Sequence, residues 1–278
     1  MPMLLAMACA TTACQQPPAR TERPPAPIGR GPVEERPVER PRPPIQHAQS
    51  FTLGESVRGR PIELYVFGEG GPTTLVIGGI HGNEPTSSDV AVELARYLQA
   101  HPEAYAGRCV MIAPAVNPDG LAARRRTNAN GIDINRNFPA ANFPRAGGAR
   151  FAGGRRPLSE PETRAIMDAI EHARPAQIIS IHSITRGRHG NNYDGPARAL
   201  AEEMSRHNRY PVLPTMGYDT PGSLGSWAGV DCGIPIITLE LPRDADGDAC
   251  WRENRAALLA AIRSAGASAG VDPTLFGK

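Results

Sequence analysis

Thr74-Leu-Val-Ile-Gly-Gly-Ile80, running directly into His81-Gly-Asn-Glu84, is the stretch that decides how this chain is read. The first part is an apolar run with the look of a strand, and the second is an H-x-x-E placed where that run stops. An imidazole and a carboxylate three residues apart on a tight turn can grip one metal ion from the same side. They make only half a site, because a catalytic tetrahedral zinc takes a third protein ligand and keeps an open position for water. A second apolar β-rich segment, Gln177-Ile-Ile-Ser-Ile181, leads into His182 and Ser183, and His182 lies 101 residues after His81. That interval is too long for a local zinc finger and suits two strands of one sheet. Neighbouring parallel strands that end in metal ligands would place them at the carboxyl edge, where open α/β sheets bind ligands.

A third segment adds chemistry. Asn117-Pro-Asp-Gly120 is followed by Arg126-Thr-Asn-Ala-Asn-Gly-Ile-Asp-Ile-Asn-Arg-Asn-Phe-Pro139. Two arginines with interleaved asparagines and an aspartate on a glycine-bearing loop make a poor core and a good anion clamp, because guanidinium forks match carboxylates bidentately and stay charged. The plainer reading is a solvated basic loop, since Arg124 and Arg125 stand beside Arg126.

His81-x-x-Glu84, Arg126 with Asn135-Arg136-Asn-Phe-Pro139, and His182-Ser183 together resemble the zinc carboxypeptidase family. Tyr218-Asp-Thr-Pro-Gly-Ser-Leu-Gly-Ser-Trp227, leading into Ile236-Ile-Thr-Leu-Glu240-Leu-Pro, extends the likeness, with Tyr218 22 residues before Glu240. The wording of that segment resembles the bacterial murein peptide amidase branch. The resemblance implies one zinc ion held by His81, Glu84 and His182, with Asp133 accepting a hydrogen bond from the first histidine and fixing its tautomer. It implies Glu240 as the general base acting on water that zinc has acidified towards roughly pKa 7. Arg126 would stabilise the developing oxyanion, Asn135 and Arg136 would hold the substrate's terminal carboxylate, and Tyr218 would close over it. Gly225 falls where the family commonly keeps its side-chain selector, which implies a roomy pocket. Asp194, in Asn192-Tyr-Asp194, and the Arg186-Gly-Arg188 segment could supply opposite charges to a zwitterionic side chain such as that of diaminopimelate.

The expected substrate is therefore a murein tripeptide or muropeptide cut at the γ-D-glutamyl–meso-diaminopimelate bond. An ordinary carboxypeptidase acting on C-terminal residues is the alternative, and a non-catalytic wall-binding lipoprotein is the alternative of another class. A net charge of +2, with arginines spread along the chain, makes no case for nucleic acid.

The 278 residues, 40% of them hydrophobic, suffice for one sizeable core. Ten of the 29 prolines lie between Pro17 and Pro44, a stretch that cannot bury a core and reads as an extended spacer. Before it, Met1-Pro-Met-Leu-Leu-Ala-Met-Ala-Cys-Ala-Thr-Thr-Ala-Cys14 is too short to span a bilayer. It resembles the end of a lipoprotein signal, with Cys14 as the lipidated residue and the only membrane contact expected. The division is a leader over 1–14, a proline-rich linker over 15–48 and one catalytic domain over 49–270. Export to the periplasm or a lipid-anchored envelope position follows from the leader, with a cytoplasmic enzyme as the alternative. Cys109, Cys232 and Cys250 remain in the body, and the last two could pair in an oxidising compartment.

From about Ser50, β and α patterns alternate. Strands are expected at Ile62–Phe67, Leu75–Ile80, Cys109–Ala113 and Gln177–Ile181. Helices are expected over Ser88–Ala100, from a capping box at Ser159-Glu-Pro-Glu162, over Pro196–His207 and over Arg252–Ser264. The fold class is α/β: a mixed, mostly parallel twisted sheet with helices on both faces.

Overall fold

The computed structural model describes residues 48–144, 152–185, 187–214 and 216–266. The leader with Cys14, nearly all of the linker, and Arg186 lie outside the described residues. Eight strands form one sheet: β1 (Gln49–Glu55), β2 (Pro61–Phe67), β3 (Thr73–Ile77), β4 (Cys109–Ala113), β5 (Gln177–Ile184), β6 (Gly190–Asp194), β7 (Val212–Leu213) and β8 (Ile236–Pro242). Their order is β1-β2-β4-β3-β5-β8-β6-β7. The four central strands β4, β3, β5 and β8 run parallel. β1 and β2 join antiparallel on one side, and β6 joins antiparallel to β8 on the other.

Among the described residues there are five α-helices: α1 (Pro85–Ala100), α2 (Pro118–Ala123), α3 (Pro161–Ala173), α4 (Arg198–Asn208) and α5 (Gly247–Ser264). Every residue of β3 and β4 is buried, as expected of strands covered on both faces. Alternation splits their side chains between two cores. Val76, Ile179, Ile181, Ile237, Leu239 and Leu241 pack with α1, α4 and α5. Leu75, Ile77, Ile178 and Ile236 pack on the other face with Ala165, Ile166 and Ile170 of α3.

That alternation positions the site. On β5 and β8, Ile179, Ile181, Ile237, Leu239 and Leu241 point to the first core, so Ser180, His182, Thr238 and Glu240 point, with Ile178 and Ile236, to the opposite face. The parallel register sets His182 directly beside Glu240.

Three expectations need correction. β3 ends at Ile77, and Gly78-Gly79-Ile80 is already the turn that delivers His81. His182 does not end its strand, because β5 continues to Ile184. The capping box at Ser159 does not form: the N-cap of α3 is Glu160, with no side-chain cap bond. Ser159 instead donates to Glu160 Oε1 (2.7 Å) and accepts from Asn137. Glu162, fully buried, accepts from Val57 N and Asn128 Nδ2. Cys109, Cys232 and Cys250 are all free thiols, so no Cys232–Cys250 bridge is present. Among the described residues, no helix is long and apolar enough to cross a membrane.

Candidate active site

His81 and Glu84 sit on the turn between β3 and α1, and the backbone folds tightly there. A Cβ on Gly82 would overlap the carbonyl of Gly120 at the start of α2. Asn117 caps α2 through Gly120 N (2.9 Å) and donates to Ile80 O (3.0 Å), which ties that helix to the turn.

His81, Glu84 and His182 are all buried, and their ligand atoms lie within 4.8 Å of one another. The two Nδ1 atoms are 3.1 Å apart. Glu84 oxygens stand 3.1 Å from the His81 Nδ1 and 3.2 Å from the His182 Nδ1. Both outward nitrogens are occupied: His81 Nε2 by Asp133 Oδ1 at 3.0 Å, and His182 Nε2 by Ser180 Oγ at 3.1 Å. Both Nδ1 lone pairs are thereby left to converge with one carboxylate. Two imidazoles, one carboxylate and an open side fit a catalytic zinc.

Charge is concentrated around this cluster. Burial would raise the Glu84 carboxyl, but hydrogen bonds from His182 and His81 outweigh it and hold it well below the usual carboxylate range. Ser183 N donates to Glu84 Oε2 (3.0 Å), and Arg126 Nη1 lies 3.3 Å from Oε1. Burial likewise opposes ionisation of Asp133, yet its bond to His81 and the nearby Arg126 and Arg136 pull its pKa far down. Arg126 Nε donates to Asp133 Oδ2 at 2.9 Å. Glu240 is the exception: burial and the Glu84 carboxylate push it up to about 7, against the pull of His81, Arg126 and Arg243. Two carboxylates of opposite titration side by side are the pattern of an acid–base site.

Apart from Asp133, these residues line a cleft that is open to solvent, ≈ 780 Å³ with that solvent included, together with Asn135, Asp194, Tyr218 and Gly225. The Asn135 side-chain carbonyl accepts from Leu224 N (2.9 Å), leaving its amide group for a ligand. Tyr218 stands half exposed at the rim. Asp194 reaches the cleft from β6, and a Cβ on Gly225 would overlap its carboxylate. Gly225 is thus the space that Asp194 occupies. Burial raises the Asp194 pKa, and the neighbouring Asn192 Oδ1 is buried without a partner.

Part of the arginine–asparagine loop is scaffold rather than clamp. Asn128 is buried and donates to Glu160 and Glu162 (2.7 and 3.0 Å), and Asn137 is bound to Gly153, Arg156 and Ser159. Arg188 donates to Met216 O and is not among the cleft residues. Arg243, three residues past Glu240, does line the cleft. The sequence reading missed it because the segment after Glu240 looked like a strand end.

The zinc carboxypeptidase family model matches residues 45–247. Murein peptide amidase A of Escherichia coli (strain K12) is 35% identical over 184 residues, which are 60% of this chain and 70% of that protein. The Vibrio campbellii protein of the same name is 30% identical over 205 residues, 69% of this chain and 78% of its own. The crystal structure of murein-tripeptide amidase MpaA from Escherichia coli O157 superposes with a TM-score of 0.63 at 28% identity, over 81% of this chain and 94% of that one. Bovine thrombin-activatable fibrinolysis inhibitor, at 18% identity and a TM-score of 0.64 over 77% and 88%, shares the fold. A family match across most of the chain, with this sheet, places the protein in the zinc carboxypeptidase family as a metallopeptidase.

Proposed function

We propose that the protein hydrolyses the γ-D-glutamyl–meso-diaminopimelate amide bond of murein peptides. The observation that carries this reading is the charge pattern of the cleft: Asp194 and the unpaired Asn192 Oδ1 at one place, Arg126 and Arg136 at another. Diaminopimelate bears an ammonium and a carboxylate on its side chain, besides its terminal carboxylate. An ammonium arriving at Asp194 offsets the desolvation that raises that carboxyl. Arg136 and the Asn135 amide take the terminal carboxylate, a match of planar fork to planar anion, and Tyr218 closes over it from the rim. The likeness to murein peptide amidases supports the same substrate class.

Held by His81, Glu84 and His182, zinc would acidify water towards roughly pKa 7 and polarise the scissile carbonyl. Glu240, pushed up to about 7, takes the proton of the attacking water and returns it to the leaving amine, both steps being accessible near neutral pH. Arg126 donates to the oxygen on which charge develops. Asp133 keeps the His81 tautomer that leaves Nδ1 unprotonated.

Incubating the zinc-loaded protein with L-Ala-γ-D-Glu-meso-diaminopimelate and with α-linked dipeptides ending in lysine or phenylalanine tests the proposal. Free diaminopimelate should be released with kcat/KM at least about tenfold above that for either α-peptide, the scale of discrimination one pocket contact provides. Asp194 would also receive a C-terminal lysine, so faster lysine release decides for a carboxypeptidase of basic residues. Access to wall peptides fits an exported chain carried on a lipidated Cys14 and tethered by the proline-rich segment. Mass spectrometry of the membrane fraction should then find a diacylated N-terminal cysteine, and an unprocessed cytosolic chain contradicts that part.

A further inference from the structure

Arg243 is a cation at the edge of the metal cluster that the pocket for the leaving residue does not use. It follows the end of β8, where its backbone N–H donates to Ile184 O. Its Nη2 donates to Ser183 O (3.2 Å) and stands 3.5 Å from Glu84 Oε1. Its Nε is buried and finds no partner. The side chain is 37% exposed and lines the cleft. A buried guanidinium N–H without an acceptor is costly, and a substrate anion would remove the cost.

Position along β8 says which part of a substrate could supply that anion. Asp194 pairs with Ile236, four residues before Glu240, while Arg243 lies three residues after it. At about 3.3 Å per residue, the Asp194 backbone position is therefore about 13 Å from Glu240 along the strand. The Arg243 guanidinium instead folds back to Ser183, which pairs with Leu241 on the other side of Glu240, and so stands beside the metal cluster. With the leaving residue at Asp194, Arg243 faces the acyl residue, whose carbonyl is cut.

In a γ-linked glutamyl residue the amide runs through the side chain, so the α-carboxylate is free. It lies four carbon–carbon bonds from the scissile carbonyl carbon, about 5 Å when extended. A residue at the same place in an ordinary α-peptide carries no such group on its main chain. We infer that Arg243 is a specificity-determining residue that binds the free α-carboxylate of the γ-glutamyl group on the acyl side of the scissile bond. This rests on the function proposed above, and it adds the second half of substrate recognition: Asp194 reads what leaves, Arg243 reads what stays.

The test compares two substrates on two proteins. One substrate is L-Ala-γ-D-Glu-meso-diaminopimelate, and the other is the same peptide with the glutamyl α-carboxylate converted to the amide. The wild-type protein should prefer the free acid by roughly 10- to 100-fold in kcat/KM, mostly through KM, the usual range for a hydrogen bond to a charged group. Arg243→Met should cut both at the lower rate, and Arg243→Lys should keep part of the preference. If Arg243→Met fails to turn over, binding of L-Ala-γ-D-Glu and of its α-amide to each protein gives the same contrast by calorimetry. A wild-type protein indifferent to amidation overturns the inference, as does an Arg243→Met protein that loses both substrates equally and keeps the preference. Either result leaves the proposed function standing. That proposal fails separately, if wild-type protein releases no diaminopimelate from the free acid.

Discussion

Glu240 lines the cleft and Asp133 lies behind His81, and their surroundings drive one residue type to opposite ends of titration. Both are buried carboxylates near the same histidine, yet one is pushed up to about 7 and the other far down. The difference lies in their partners. Asp133 receives His81 Nε2 and Arg126 Nε directly, while Glu240 faces the Glu84 carboxylate. Replacing each by its amide should therefore fail in different ways. Glu240→Gln removes the proton acceptor and leaves the ligands, so kcat should fall by about 10²–10⁴-fold with zinc content unchanged. Asp133→Asn disturbs the histidine that would hold the metal, so zinc affinity should drop by about 10–100-fold, and excess zinc should restore part of the rate. Metal analysis beside steady-state kinetics distinguishes the two. A Glu240→Gln protein of normal activity would remove Glu240 from the chemistry.

At the scale of elements, β3, β4 and β5 were legible because both faces are covered and their sequences are apolar runs rich in Val and Ile. β6 was not, since Gly190-Asn-Asn-Tyr-Asp194 carries no apolar period. Its strand character comes from pairing with β8, a long-range fact. The same blindness gave Asp194 no strand to stand on and left Arg243 unseen. It also credited Ser159 with a cap, because spacing does not reveal that Asn137 engages its hydroxyl. The candidate metal cluster was legible because an H-x-x-E after an apolar run and a histidine within a second β segment carry their own geometry. Gly225 becomes intelligible only once β6 is placed: it opens the π-helical segment Gly225–Asp231, which packs against Asp194. Gly225→Ser should therefore displace the Asp194 carboxylate. A clash of about 1–3 kcal/mol corresponds to a roughly 5- to 150-fold rise in KM for the diaminopimelate peptide, with little change in kcat. An unchanged KM would show that Asp194 does not touch the substrate.

Across the whole molecule, the metal site joins parts far apart in the chain: a turn after β3, the middle of β5 and, through Asp133, the loop that α3 anchors. Removing the metal leaves two imidazoles and several charges in a dry place, and protons take over its role. Burial alone would lower His81, but its bonds to Asp133 and Glu84 outweigh that and raise it, whereas burial lowers His182. A protonated His81 can then donate to Glu84 or to the neutral His182. Its stabilisation is fully present below the unfolded value of 6.5 and is lost as pH rises through the higher folded value. Glu240 acts in the same direction. Its folded pKa of about 7 exceeds the unfolded 4.5, so the folded state holds the extra proton between those values and stability declines as pH climbs through that window. His182 works the other way below 6.5, because its lowered pKa favours the folded state as pH rises to that value. Above it His81 and Glu240 govern, so the metal-free protein should weaken from about pH 6.5 to pH 8, while metal ligation gains as competing protons leave. Metal at about 1,000 times its dissociation constant contributes about 4 kcal/mol, or on the order of 10 °C in Tm for a domain of this size. The Tm difference between zinc-loaded and chelated protein should widen between pH 5.5 and pH 8.5. A difference that stays flat or narrows over that range would mean that the buried histidines and Glu240 do not exchange protons for the metal.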